Sequence, residues 1–155
     1  MNNVREIFEA RRDGYTISTD PYRLDVVAIH AYLTRSYWVP GIPIAVVENA
    51  VRGSLGFGLY DAMGAQVGFT RAITDYATFA YLCDVYTLES VRGNGLGKWL
   101  VECVRAYPEF VNLRRMLLAT ADAHGLYSQF DFKPLRAPER FMEIVRPDIY
   151  KSGQS

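Results

Sequence analysis

The sequence predicts a single α/β (α+β) domain with a central mixed, mostly antiparallel sheet of about six to seven strands and about four helices. Three observations lead to this prediction. Two strand-like runs flank a four-residue turn at 61–64, and a strongly periodic helix is predicted over 96–107. The predicted strands before and after that helix are apolar on both of their faces. A chain of 155 residues suits one such domain, which we place at 1–150, with a polar tail at 151–155.

Composition narrows the function classes. Half of the residues are hydrophobic, which indicates a folded globule, and Lys plus Arg equals Asp plus Glu at 17 each, so neither a nucleic acid nor a membrane is expected as a partner. Cys83 and Cys103 lie in apolar segments without metal-site spacing, which predicts buried, reduced thiols and no metal. The charged start of the chain lacks the apolar centre of a signal peptide, so a cytoplasmic location is predicted.

The first elements are a strand and a helix. Residues 15–20 alternate like a strand, and Asp20-Pro21 then supplies a cap and a first helical residue. A helix is predicted over 21–36. Its expected buried stripe consists of Leu24, Val27, Ala28 and Ala31.

A second helix is predicted over 43–52, after an aromatic turn. Ile44, Val47 and Val51 should face inward, and Gly53 should end the helix in a left-handed conformation.

The sheet follows. Runs at 55–60 and 65–73 should pair as an antiparallel hairpin, and the run at 76–88, apolar on both faces, should lie at the centre of the sheet. The helix at 96–107 and a strand at 115–121 complete a crossover unit, with parallel strands and a right-handed connection.

The chain is predicted to end with a short helix and two more strands. The helix should cover 123–130, and the strands 132–135 and 140–145.

Glycines at alternate positions mark the junction between the central strand and the periodic helix. In Arg92-Gly93-Asn94-Gly95-Leu96-Gly97-Lys98 they let backbone amides approach a ligand at a helix N-terminus, which favours an anion such as phosphate. A P-loop is excluded because it would need Gly at position 92 and Ser or Thr at position 99. A dinucleotide GxGxxG fails as well, since positions 98 and 100 are not glycine. A tight turn that binds nothing is the remaining alternative.

Two separated motifs occur along the chain in the same order as in a known protein family. Arg92, Gly95 and Gly97 fit the pattern [RQ]-x-x-G-x-[GA], and LYSQFDFK at 126–133 is similar to an LYxxxGF segment. On these residues the chain resembles the GNAT superfamily of acyl-CoA N-acyltransferases. Asp131 stands where that segment has glycine, so if the position requires a positive φ, Asp131 adopts it at a cost.

The resemblance implies a cosubstrate and its contacts. Acetyl-coenzyme A would place its pyrophosphate on the amides of Arg92, Gly93, Asn94, Gly95, Leu96, Gly97 and Lys98. Its pantetheine arm would pair with the backbone of Val85, Tyr86 and Thr87, where two central parallel strands splay apart.

Direct attack of an amine on a thioester needs a base and an acid. The resemblance implies that Tyr127 is the general acid and that its hydroxyl points at the coenzyme sulfur. The alternative is that Tyr127 only packs in the core. Asp84, near the end of an apolar strand, is the candidate base. The alternatives are a structural role for Asp84, or a water relayed from Glu89 or Asp75.

Four further residues are weaker candidates. His124 has a suitable unperturbed pKa for acid-base work but equally suits a cap or the surface, and Asp122 more simply caps a helix. Tyr37 and Trp38, in the bend between the first two helices, fall where the resemblance implies the acceptor pocket, although an aromatic plug in the core fits equally well.

The function predicted is therefore N-acetyl transfer from acetyl-CoA to a primary amine of a small molecule, amino acid or peptide, in a ternary complex. The alternative is an acyl-CoA-binding or sensor module without turnover. A homodimer is possible, because related proteins often dimerise.

Overall fold

The computed structural model describes residues 5–151 and confirms the predicted α/β (α+β) fold class. Six strands lie in chain order across one sheet, and every neighbouring pair is antiparallel except the last, β5 and β6, which is parallel. The strands are β1 (Glu9–Arg12), β2 (Tyr15–Ser18), β3 (Leu55–Tyr60), β4 (Gln66–Thr74), β5 (Phe79–Thr87) and β6 (Arg115–Leu118). The α-helices are α1 (Val26–Leu33), α2 (Ile44–Arg52), α3 (Leu96–Ala106) and α4 (His124–Ser128).

An unpredicted strand begins the sheet. β1 pairs with β2 through a turn in which Asp13 and Gly14 have φ values of 51° and 83°. Two positive φ angles in a two-residue loop are typical of a type I′ hairpin turn, for which Asp-Gly is a strong sequence signal. The residues of this turn therefore encode the hairpin locally.

The predicted first helix is divided in two. Asp20 caps a short 3-10 helix at Pro21–Arg23, and Asp25 then accepts from the backbone N–H of Ala28 to cap α1. Because a new helix begins at Val26, its inward face differs from the predicted stripe. Ile29 and Leu33 are buried, whereas Val27 and Ala31, two of the four predicted positions, are exposed.

The second helix forms at the predicted place, with Val47 buried as expected. Two details of the prediction are wrong. Ile44 is exposed at the first turn, and Gly53 has a φ of −86°, outside the left-handed region.

The predicted hairpin is confirmed, and so is the parallel pairing of the two strands that flank the periodic helix, although β5 and β6 are shorter than predicted. β3 and β4 pair antiparallel from Leu55–Ala72 to Tyr60–Gln66. β5 starts at Phe79 rather than at 76, β6 ends at Leu118 rather than at 121, and the pair runs parallel. α3 buries Leu100, Val101 and Val104 fully in the larger core cluster.

The two predicted C-terminal strands are absent. Residues 132–135 form irregular chain. Arg140 ends a short 3-10 helix at Pro138–Arg140, and 141–145 have no regular secondary structure and pair with no strand within the described residues. β6 is consequently an edge strand, and the parallel pair lies at one side of the sheet rather than at its centre. Asp131 has a φ of 72°, as expected if this position of the LYxxxGF-like segment requires a positive φ.

Other expectations concern the thiols and the chain ends. Cys103 is buried as predicted, whereas Cys83 is only partly buried, and both are free. Between residues 5 and 151 no helix is long and apolar enough to cross a membrane. The cytoplasmic location stays a prediction, and the predicted tail lies outside the described residues except for Lys151.

Candidate functional site

The site is organised around a wedge between β5 and β6. Their pairing ends at Leu82 and Leu118, although β5 continues to Thr87. Beyond that point the backbone of Val85, Tyr86 and Thr87 has no strand partner on the β6 side within the described chain. A bound arm carrying amides could take the place of the missing strand, because exposed N–H and C=O groups require partners once they are covered.

A bulge in β5 sets the position of Asp84. Arg71 pairs with Cys83 but Phe69 pairs with Tyr86, so β5 carries one extra residue at this point. Asp84 lies in the bulge with a φ of 58°, a conformation that costs a non-glycine residue free energy and that is found preferentially at functional sites. The bulge interrupts the regular alternation of side chains between the two faces of β5 at the position of this carboxylate.

The glycine loop presents unpaired amides. None of the six backbone N–H groups from Gly93 to Lys98 donates a hydrogen bond to any residue between 5 and 151. Gly93 and Gly95 have φ values of 89° and 71°, and a Cβ added at Gly97 would meet no atom within 4 Å. Six free donors at the start of an eleven-residue helix form a site suited to an anion.

Neighbouring side chains hold this loop in place. Asn94 donates to the carbonyl of Val91 at 3.0 Å, and the Arg12 guanidinium contacts the carbonyl of Gly95 at 3.3 Å. Arg92 donates to the hydroxyl of Tyr32 at 2.9 Å. These hydrogen bonds stabilise the conformation of the loop, and the nearby guanidinium groups favour a negatively charged ligand.

The Asp84 carboxylate is buried and accepts two hydrogen bonds. Arg71 Nε donates to Oδ2 at 2.6 Å, and Trp38 Nε1 donates to Oδ1 at 3.0 Å. Arg71 also donates to the hydroxyl of Ser54 at 2.9 Å. The structure therefore joins predicted residues Asp84 and Trp38, and it adds Arg71, for which the sequence carries no local signal.

Tyr127 lies on α4 with its ring buried. Burial raises the pKa of its hydroxyl to about 12, with further increases from Tyr37 and Asp122 nearby. The ring also packs edge-on against Phe132, with centroids 5.9 Å apart. A phenol in these surroundings keeps its proton at neutral pH and can act as a donor, and it also serves as a core residue.

Tyr37 and Trp38 line one side of the site. Their rings meet edge to face with centroids 5.1 Å apart, and the Tyr37 hydroxyl lies 3.4 Å from an oxygen of Asp122. Both rings are partly exposed, so they do not form the aromatic core plug considered from the sequence. Their exposed faces are available to a ligand.

A second pair of aromatic residues supports this surface. Tyr32 stacks on Tyr86 with ring centroids 3.9 Å apart, and the guanidinium of Arg35 lies 4.4 Å from the Tyr32 ring. No local pattern links Tyr32 to Tyr86, so the sequence carries no signal for this contact.

The alternative bases are poorly suited to the role. The bidentate pair with Arg35 holds the pKa of Glu89 at about 2. Bonds from the hydroxyl and backbone of Thr78 hold the pKa of Asp75 well below its usual range. Both groups accept protons weakly at neutral pH. His124 lies exposed at the start of α4.

Within residues 5–151 no group of three or more His, Cys, Asp or Glu side chains could hold a metal ion. The chemistry available to the described residues is that of hydrogen-bond donors, a buried carboxylate and a protonated phenol.

Comparison with known proteins adds independent findings. The sequence profile of the acetyltransferase (GNAT) domain matches residues 46–134. A Gibberella zeae protein named as an acetyltransferase is 34% identical over 149 residues, covering 83% of this chain and 84% of that protein.

Solved structures give the same result. A Xanthomonas campestris protein of the GNAT family, named as an acetyltransferase, has a TM-score of 0.86 and 45% identity, covering 89% of this chain and 97% of that one. A Deinococcus radiodurans structure has a TM-score of 0.69 at 18% identity, over 92% and 96% of the two chains, a likeness of fold alone.

Proposed function

The chain belongs to the GNAT family of acetyltransferases, and on this premise we propose that it transfers an acetyl group from acetyl-CoA to a primary amine of a small molecule, amino acid or peptide. The amine attacks directly within a ternary complex. The products are the N-acetylated amine and free coenzyme A. The observation that carries the proposal is the row of unpaired amides from Gly93 to Lys98 at the N-terminus of α3.

The residues present fit the coenzyme at two points. A diphosphate needs several converging donors, which the amides of the glycine loop supply, with the exposed Arg92 and Lys98 side chains adding positive charge. A pantetheine arm carries two amides, and the unpartnered side of β5 from Val85 to Thr87 offers matching backbone groups. When bound, acetyl-CoA supplies an activated acetyl group and a thiol leaving group.

We assign the acid to Tyr127 and the base to Asp84. Tyr127 holds its proton at working pH, because burial raises its pKa to about 12, so its O–H can donate to a departing thiolate. Asp84 accepts from Arg71 and Trp38, and each carboxylate oxygen retains a lone pair that could accept the ammonium proton, directly or through a water.

The acceptor is proposed to bind beside Tyr37 and Trp38. Aromatic faces attract a cationic ammonium group, and the carboxylate of Asp122 close to Tyr37 adds negative charge. This combination favours an amine acceptor over an anionic one. The pair Arg35 and Glu89 is exposed nearby and offers both charges to a polar acceptor.

A second function is favoured by one observation. Both oxygens of Asp84 already accept hydrogen bonds, one of them from a guanidinium, as in a purely structural ion pair. If the carboxylate cannot accept a proton, the chain binds acyl-CoA without turnover, as a sensor or partner subunit.

Two measurements test the proposal in order. Isothermal titration calorimetry of the folded protein with acetyl-CoA and with coenzyme A should detect binding to both, and no binding would overturn the coenzyme assignment. Thiol release from acetyl-CoA is then followed across a panel of amines, with the acetylated product identified by mass. Binding without thiol release for any amine would favour the non-catalytic module.

A further inference from the structure

Part of one sheet face is left open beside the candidate site. Ile73, Tyr81 and Leu117 are paired in one row across β4, β5 and β6, so their side chains lie on the same face. The apolar cluster of α1 and α2 covers this face around Phe69 and Tyr86. Ile73 remains 44% exposed, and Tyr81 and Leu117 are half-buried. These three side chains form an apolar surface in contact with solvent, which we call the open strip.

Arg71 lies on the same face, two residues before Ile73 along β4. Two nitrogens of its guanidinium are fixed, because Nε donates to Asp84 at 2.6 Å and Nη1 donates to the Ser54 hydroxyl at 2.9 Å. The Ser54 hydroxyl donates in turn to the carbonyl of Ala50. Nη2 of Arg71 donates to no residue between 5 and 151, and 16% of the side chain is exposed. A planar guanidinium held at two nitrogens presents the third in a fixed direction.

The Tyr81 hydroxyl is a second donor near this ion pair. Burial raises the pKa of Tyr81, the neighbouring Cys83 and Asp84 raise it further, and Arg71 lowers it, so the hydroxyl lies within electrostatic reach of both charges. It makes no side-chain hydrogen bond within the described chain. Burial also raises the pKa of the Cys83 thiol to about 12, so this thiol adds no charge at neutral pH.

We infer that the amine acceptor is a free α-amino acid with a large apolar side chain. Its ammonium group lies at the Asp84 carboxylate and the ring of Trp38. Its carboxylate accepts from Nη2 of Arg71 and from the Tyr81 hydroxyl. Its side chain packs on the open strip. The inference rests on the proposed function, of which it narrows the acceptor.

An α-amino acid matches the ion pair in charge and in spacing. Its ammonium and carboxylate groups are joined through one carbon and lie about 3 Å apart, close to the 2.6 Å that separates Arg71 Nε from Asp84 Oδ2. A simple amine would leave Nη2 of Arg71 and the Tyr81 hydroxyl without a partner once water is displaced, which costs free energy. The N-terminus of a peptide offers a neutral amide where the amino acid has its carboxylate, so it is the poorer match.

A panel of acceptors tests the inference on the unaltered protein. Thiol release from acetyl-CoA is measured with leucine, with leucinamide and 3-methylbutylamine, which lack the carboxylate, and with glycine, which lacks the side chain. Leucine should have a kcat/KM about tenfold or more above each of the others. Equal values for leucine and leucinamide would point to peptide termini and would overturn the inference, as would equal values for 3-methylbutylamine. A glycine value equal to that of leucine would show that something else covers the open strip, and would also overturn it.

Calorimetry with coenzyme A bound tests the same site without turnover. Arg71→Lys should weaken the binding of leucine about tenfold and that of 3-methylbutylamine less than about threefold, and Tyr81→Phe, which keeps the ring, should act in the same direction. Arg11→Lys, whose side chain is 79% exposed on β1, is the matched control and should bind both as the wild type does. Equal losses for both ligands would leave Arg71 as a support for Asp84 and overturn the inference. Thiol release from no amine would contradict acetyl transfer, whereas the preference for leucine is read here from binding alone.

Discussion

Asp84 illustrates how the site is determined at the scale of single residues. Its partners come from the bend after α1 and from β4, which lie 46 and 13 residues away in sequence. The positive φ of Asp84 is maintained by the bulge in β5 rather than by local preference alone. A carboxylate held in a strained conformation, with a cation at 2.6 Å, is a positioned group whatever its role in proton transfer.

Removing the Tyr127 hydroxyl tests the acid. Tyr127→Phe should lower kcat by about 10²-fold, because a positioned acid contributes at least that much, while the Kd for acetyl-CoA changes little. Steady-state kinetics and calorimetry give both values. Tyr22→Phe, at an almost fully exposed position, is the control and should match the wild type. An unchanged kcat at every pH, with the fold intact, would assign Tyr127 to packing only.

Neutralising Asp84 separates its two possible roles. Asp84→Asn leaves the guanidinium of Arg71 without its carboxylate, so the free energy of unfolding should fall by about 1–3 kcal/mol. If Asp84 is the base, kcat of the folded variant also falls about 10²-fold, and the pH-rate profile loses its acidic limb.

A structural Asp84 would give the loss of stability without the change in profile. Thermal unfolding and the pH dependence of thiol release distinguish the two results. Glu102→Gln, an exposed carboxylate on α3, is the matched control and should alter neither measurement.

At the scale of elements, the glycine loop couples strand β5 to helix α3. Gly93 and Gly95 take positive φ angles that let the chain turn from the strand into the helix. Gly97 is different, since it lies within the first turn of α3, its φ is not positive, and the space beside it is open. A glycine without a conformational reason indicates that something must approach the backbone closely.

Gly97→Ala should therefore shift stability and binding in opposite directions. Alanine in a helix stabilises by about 0.5–1 kcal/mol relative to glycine, so the melting temperature should rise slightly. The added methyl group would obstruct the diphosphate, so the Kd for acetyl-CoA should rise at least tenfold. Calorimetry and thermal unfolding measure the two effects.

Gly125→Ala in α4 makes the same change outside the loop, also into open space. It should leave the Kd within about threefold of the wild type. If Gly97→Ala binds acetyl-CoA as tightly as the wild type does, the diphosphate does not lie on this turn.

At the scale of the whole molecule, the fold is stabilised by an aromatic core that crosses the sheet. Phe57 and Phe69 are completely buried, and Tyr107 meets both Phe57 and Phe110 edge to face. Burial raises the pKa of Tyr60 and of Tyr107 to about 12 and that of Cys103 to about 11. These groups remain neutral in the folded state at pH values where the unfolded chain would ionise.

Stability should consequently decline at alkaline pH. In the unfolded chain tyrosine ionises near pH 10 and cysteine near pH 9, in each case about two pH units below the pKa in the folded state. The folded state therefore binds more protons between pH 9 and 12, so the stabilisation is complete below pH 9 and is lost progressively up to pH 12. Tyrosinate absorbance and circular dichroism should change together in this range. Ionisation of the buried tyrosines before any loss of structure would contradict this account.

The sequence by itself determined the elements whose signals are local. The β3–β4 hairpin, the periodic helix α3 and the glycine loop follow from spacing within about a dozen residues, and all appear where expected. The Asp13-Gly14 turn carries a local signal of the same kind, although its strand β1 was not predicted. The two motifs at 92–97 and 126–133, taken in order, are sufficient to indicate the family.

Only the tertiary structure decided which distant groups meet. The contact of Arg71 and Trp38 with Asp84, the stack of Tyr32 on Tyr86 and the inward face of α1 depend on packing between elements, which no local period encodes. The segment 140–145 shows the same limit, because its sequence predicts a strand, yet it pairs with no strand within the described residues even though β6 has a free edge. Local conformational preference fixes an element's type, whereas its neighbours are fixed by the free energy of burying surfaces far apart in sequence.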